Sequence, residues 1–158
     1  MGMKKETWVE KVSGERSEWI KATRLEREGR LEEAAKHYIN EAKRQEDKNP
    51  AMAALSYLSA AKCLVRAGKR SEALEYFRLA GHKYREYADS TSSVAPSSTV
   101  WGYRMAAKCY MWAEDYEEAE KLTEIADAIS GKLEPVEGEE GPLFRPYRVR
   151  RGKGRGND

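Results

Sequence analysis

Apolar residues recur along this chain at intervals of three and four. Ala61, Leu64 and Gly68, then Ala73, Phe77 and Ala80, lay one apolar stripe on each of two successive helices. Glu32 and Glu33 stand four residues before Lys36 and His37, a solvated face with mild support from pairs one turn apart. Gly29 and Gly68 interrupt two of the patterns, and Gly131 ends the last one. Asn49 is a good N-cap, with Pro50 at the first helical position. The polar run from Asp89 to Thr99 reads as a loop whose Ser97 to Thr99 cap the helix entering Trp101. These signals predict helices over about 15–28, 31–46, 50–67, 70–88, 97–113 and 115–130, with a further short helix over Lys4 to Val12. Six or seven helices make an all-α body, and connections of about two residues force the paired helices to be antiparallel neighbours.

The pattern also repeats. Tyr57, Ala60, Ala61, Lys62 and Cys63 match Tyr103, Ala106, Ala107, Lys108 and Cys109 at an offset of 46, and Glu72, Ala73 and Ala80 match Glu118, Ala119 and Ala126. A fainter copy lies 39 residues upstream, where Ala22, Leu25, Gly29, Glu33 and Ala34 match Ala61, Leu64, Gly68, Glu72 and Ala73. An Ala in the middle of the first helix and another early in the second remove bulk where the axes cross. Aromatic and aliphatic residues one turn away fill the remaining volume. Gly29 and Gly68 fall at the turn, where a residue just past the helix end needs positive φ. Glu114 replaces that glycine in the third copy, so its turn must differ or carry strain. No unit buries both faces alone, so neighbours stack into a superhelix.

Leu25…Gly29-Arg30-Leu31…Ala34…Tyr38, Ala61…Leu64…Gly68…Ala73…Phe77…Ala80 and Ala107…Tyr110…Tyr116…Ala119…Ala126 resemble the tetratricopeptide repeat. The wider spacings and the Ala-Ala-Lys-Cys phrasing are similar to the soluble NSF-attachment-protein branch of that superfamily. The resemblance implies about three antiparallel helix pairs in a right-handed superhelix over residues 1–130, followed by a Gly/Pro-containing linker and tail over 131–158. It further implies that the first helix of each pair lines a concave groove. Trp19, Thr23, Glu26 and Arg27 would line it in the first copy. Leu58, Lys62, Val65 and Arg66 follow in the second, and Trp101, Arg104, Lys108, Met111 and Trp112 in the third. Such a basic-aromatic groove suits an acidic peptide, with cations holding carboxylates and aromatic groups supplying buried area. Members that bind chaperone tails use Asn beside Lys and Arg, whereas Thr23 and Ser59 stand here.

Composition narrows the function classes. Charged residues make up 35% of the 158, and the net charge is +2. Residues 1–130 are neutral, so the excess sits in the C-terminal segment, where six basic residues fall between Arg145 and Arg155. Phe144, Arg145, Tyr147, Arg148, Arg150 and Arg151 combine aromatic and guanidinium groups. They fit a nucleic-acid arm, a solubilising tail, or an anchor docking on the body or on a sister molecule. Abundant Glu, Lys and Arg with few Gln and Asn suit a heat-adapted cytoplasmic protein. No apolar run is long enough to span a membrane, and the charged start does not read as a signal peptide.

Candidate chemistry is sparse. Cys63 and Cys109 read as small buried hydrophobes, and His37 and His82 as isolated helix residues. No phosphate loop, nucleophile elbow or zinc-protease motif occurs, and Gly152 to Gly156 follows no strand. The sequence thus points to a non-enzymatic scaffold or adaptor with no cofactor and no metal. Its expected partner is a protein or peptide, with a homodimer through the open ends as a structural alternative.

Overall fold

The computed structural model describes residues 8–133, with side chains from residue 18 onward. They form six helices and, among the described residues, no strand: α1 Trp8–Arg27, α2 Leu31–Gln45, α3 Pro50–Arg66, α4 Arg70–Thr91, α5 Pro96–Trp112 and α6 Tyr116–Lys132. Substantial packing joins each helix to the next in sequence, which gives three antiparallel hairpins in a row. The helices meet through the alanines that the repeat retains. Ala34, Ala61, Ala73, Ala80, Ala106, Ala119 and Ala126 are all buried, while Tyr57, Leu64, Phe77, Tyr84, Tyr110 and Leu122 fill the volume between. Helices α4 and α5 come close at two glycines. A Cβ on Gly102 would stand 2.9 Å from the Cβ of Ala88, and one on Gly81 would stand 2.9 Å from the Tyr110 ring.

The three hairpin turns share one backbone design. In each, the third residue past the helix bonds back five residues and the one before it bonds back three, the pattern of a Schellman cap. Arg30 N–H reaches Leu25 O, Lys69 N–H reaches Leu64 O and Asp115 N–H reaches Tyr110 O, at 2.9, 2.8 and 2.9 Å. The left-handed residue is Gly29 at φ 79°, Gly68 at 82° and Glu114 at 64°. The third turn therefore does not differ from the others; it carries the strain of a side chain in that region.

Three predicted boundaries are corrected. The short helix expected over Lys4 to Val12 is not separate: from Trp8 it is continuous with α1, because Gly14 in a helix interior costs only about 1 kcal/mol and does not break it. Residues before Trp8 lie outside the described residues. Helix α4 runs on through Asp89, Ser90 and Thr91. The two hydroxyls bond back to Tyr87 O and Ala88 O, and Tyr103 O–H holds the Asp89 carboxylate at 2.5 Å. Helix α5 then starts at Pro96, so Ser97 to Thr99 are helical and the cap position is Ala95. Thr99 is buried, with its hydroxyl on Ala95 O and on Thr91 Oγ1.

Candidate functional site

The surface that distinguishes this array lies on α3 and α5. Neither helix contains a single acidic residue, and each carries two basic ones, Lys62 and Arg66 on α3 and Arg104 and Lys108 on α5. Their exposed residues obey the same 46-residue offset as their buried ones. Leu55 and Trp101 are 40% and 46% exposed, and Val65 and Met111 are 41% and 52% exposed. Lys62 and Lys108 correspond in the same way and are both exposed. A core alone explains the repeated alanines, but it does not explain bulky apolar groups repeated on the outside.

Of these residues Lys62, Val65 and Met111 meet in a cleft of about 440 Å³ at the turn end of the second and third hairpins, while Leu55, Trp101 and Lys108 lie outside its lining. Lys62, Val65 and Arg66 come from α3, Arg70 and Phe77 from α4, Met111 and Trp112 from α5, and Glu114 and Tyr116 from the last turn and α6. The Phe77 and Trp112 rings lie 5.6 Å apart and form the apolar floor. Lys62 Nζ sits 5.5 Å from the Trp112 ring centroid, a cation–π contact that holds a charge over an otherwise apolar wall. Two of the rim cations are already paired: Arg66 with Glu26 at 3.0 Å and Arg70 with Glu114 at 2.6 Å. Lys62 and Lys108 have no carboxylate partner among the described residues. A smaller furrow of about 270 Å³ continues along α5 and α6, lined by Arg104, Ala107, Lys108, Met111 and Thr123.

The structure brings together Lys62, Arg66, Met111 and Trp112 in the cleft, and Arg104 and Lys108 in the adjoining furrow. Other sequence-derived residues lie elsewhere. Leu58 is buried at 4% exposure, because α3 is covered by α2 on one side and α4 on the other, so it offers no surface to a ligand. Trp19 packs edge-on against Tyr38 at 5.0 Å beneath the first hairpin. The Thr23 hydroxyl donates to Ile20 O within its own helix, and Arg27 is exposed without lining either depression. Trp101 stands over Tyr84 and Tyr87 at the other end of α5. Phe144, Arg145, Tyr147, Arg148, Arg150 and Arg151 lie outside the described residues.

Arg70, Phe77, Glu114 and Tyr116 were not among the candidate groove residues. A signal did exist for Tyr116, a large aromatic in the first turn of its helix that falls outside the buried stripe of Ala119, Leu122 and Ala126. The turn geometry delivers the rest. Each Schellman cap folds the start of the second helix back beside the end of the first, so second helices contribute to the rim.

The two cysteines near the cleft are buried. Burial pushes the Cys109 thiol up to about 12, against the opposing pull of Lys62 and Lys108, and pushes Cys63 up to about 11. His37 Nδ1 lies 2.7 Å from Glu18 Oε2, and His82 lies edge-on to Tyr110. Among the described residues no group of three or more His, Cys, Asp or Glu could hold a metal, and no helix is long and apolar enough to cross a membrane. No protein-family model matches the chain, and no curated protein or solved structure is similar to it.

Proposed function

We propose that this chain is a non-enzymatic scaffold or adaptor of the tetratricopeptide type, which holds an extended segment of a partner protein against the α3/α5 face. The observation that supports this reading most is the external repeat: Leu55, Lys62 and Val65 recur as Trp101, Lys108 and Met111. Two successive units thereby present the same pair of chemistries, an apolar anchor site and a cation, along one line. A linear ligand with a matching alternation gains contacts from both units. Apolar side chains entering the cleft supply buried area beside Trp112 and Met111, residue types enriched at protein interfaces, and Trp is a frequent hot spot. Lys62 and Lys108 select against basic ligands and steer acidic ones.

The test is a selection of random peptides displayed on phage against the full chain, followed by affinity measurement on variants. Peptides enriched on the wild type should bind Lys62→Glu/Lys108→Glu and Trp112→Ala about tenfold or more weakly, the loss expected for about 1.4 kcal/mol at an interface hot spot. Circular dichroism confirms that the variants remain helical. Failure to enrich any peptide, or equal binding by all three proteins, overturns the reading.

A further inference from the structure

The α3/α5 cleft asks for an acidic, partly apolar strand, and this chain carries one of its own. Residues 134–144 contain Glu134, Glu137, Glu139 and Glu140, no basic residue, and end in Leu143-Phe144. They follow directly on the last described residue, Leu133. We propose that this acidic leash is a resident ligand of the cleft in cis, which an incoming partner must displace. The inference rests on the reading of the cleft as a peptide groove.

Three physical arguments carry it. The first is charge. The two groove helices hold no carboxylate, Lys62 and Lys108 lack an acidic partner among the described residues, and the leash has four glutamates. The basic residues from Arg145 onward would be repelled by the same face, so the occupant ends at Phe144. The second is reach. Helix α6 starts at the cleft and its 17 residues carry the chain about 25 Å away. Eleven extended residues span up to about 36–40 Å, enough to bring Leu143 and Phe144 back to the cleft beside Tyr116. The third is the path. The furrow between α5 and α6 leads from Arg104 past Lys108 to Met111, which also lines the cleft. A strand running back along this furrow passes Arg104, already paired with Asp127 at 2.9 Å, then meets the unpaired Lys108, and arrives at the apolar pocket with its two apolar residues. Tethering raises the local concentration of such a segment to the millimolar range, so weak contacts suffice to hold it.

Zero-length carbodiimide coupling of the full chain tests the proposal, because it joins only a lysine and a carboxylate already in contact. An equal mixture of natural-abundance and ¹⁵N-labelled protein separates bonds within one molecule from bonds between two. Lys62 and Lys108 should be joined to glutamates of 134–140 within one molecule. The exposed Lys121–Glu117 pair, 3.8 Å apart, provides the internal control. The control bond without any leash bond overturns the proposal, and so do mixed-isotope leash bonds, which would place a second copy in the cleft. A full-length variant with Glu134, Glu137, Glu139 and Glu140 changed to Gln and Phe144→Ser should bind the selected peptides several-fold more tightly than the wild type. Unchanged affinity overturns cis occupancy and leaves the groove reading standing. If neither protein selects any peptide, the groove reading has failed, and the coupling pattern alone decides the fate of the leash.

Discussion

The second hairpin, α3–α4, and the third, α5–α6, share a skeleton and differ at three informative places. Where the second has Ser56, Gly68 and Asn49, the third has Gly102, Glu114 and Ala95. Asn49 caps α3 by accepting from Met52 N–H at 3.1 Å, while Ala95 stands at nearly the same backbone angles with no side chain to offer. Gly68 takes its left-handed turn freely, whereas Glu114 takes it at a cost of about 1–2 kcal/mol. Asp115 offsets part of that by capping Glu118 N–H, and Glu114 itself reaches Arg70 on the cleft rim. The third unit therefore gives up local stability at the edge of the cleft. The comparison teaches that backbone design has been kept constant while side chains at its joints were free to serve the surface.

Exchanging the differing residues tests that equivalence. The largest effect should come from Gly102→Ser, which puts the second hairpin's residue into the third. Its Cβ would meet Ala88 at 2.9 Å on a backbone that cannot give way. Overpacking of this kind costs about 2 kcal/mol, read as a lower urea midpoint. Wild-type stability would mean that α4 and α5 are not as close as the structure has them.

Alkaline pH should act next. Burial, followed by the hydrogen bonds to Glu46 and Asp89, raises the Tyr57 and Tyr103 hydroxyls, Tyr103 to about 12. Both folded pKa values lie above the unfolded value, so their stabilisation is complete below pH about 10 and is lost as the pH rises through the folded values. The loss is larger for the buried Tyr57 than for the part-exposed Tyr103, whose contribution solvent screens. Tyr57→Phe and Tyr103→Phe should both flatten the alkaline limb of a urea titration above pH about 10, Tyr57→Phe the more strongly. A limb unchanged in one of them breaks the correspondence between the hairpins.

The turn swap comes third. Glu114→Gly should stabilise the chain by about 1 kcal/mol, since relief of the left-handed strain exceeds the loss of an exposed ion pair. Gly68→Glu should cost a similar amount, and chemical denaturation measures both. The smallest effect belongs to Ala95→Asn, which supplies a missing cap on a backbone already shaped for it. About 0.5–1 kcal/mol of added stability is expected in the same assay.

The fold was legible because its packing is written in alanines. A residue as small as Ala60, Ala61, Ala106 or Ala107, recurring in pairs at a fixed offset, marks a helix crossing whatever surrounds it. Boundaries were less legible where polar residues stay helical for tertiary reasons. Asp89 to Thr91 look like a loop until Tyr103 and Thr99 are placed beside them. The site was half legible. Periodicity puts Lys62, Lys108 and Trp112 on an outward face, but it cannot say how far coverage by two neighbours extends around α3. Leu58 consequently reads as surface and lies inside. Arg70 and Tyr116 escaped because they belong to the following helices, and only the turn geometry returns them to the cleft.

One consequence of packing each helix chiefly against its neighbours in sequence concerns how the molecule opens. Among the described residues nothing closes the row back on itself, so none of the six helices must find a distant partner during folding. Folding should be fast, as in other helical proteins rich in local contacts. Opening should begin at the ends and move inward. Amide hydrogen exchange should therefore trace a gradient, fastest in α1 and α6 and slowest where α3 meets α4. The cleft, built from α3 to α6, straddles that gradient. Any ligand that bridges α3 and α5 would draw the outermost hairpin into the cooperative unit and slow exchange along the whole of α6, well beyond the Tyr116 that lines the cleft.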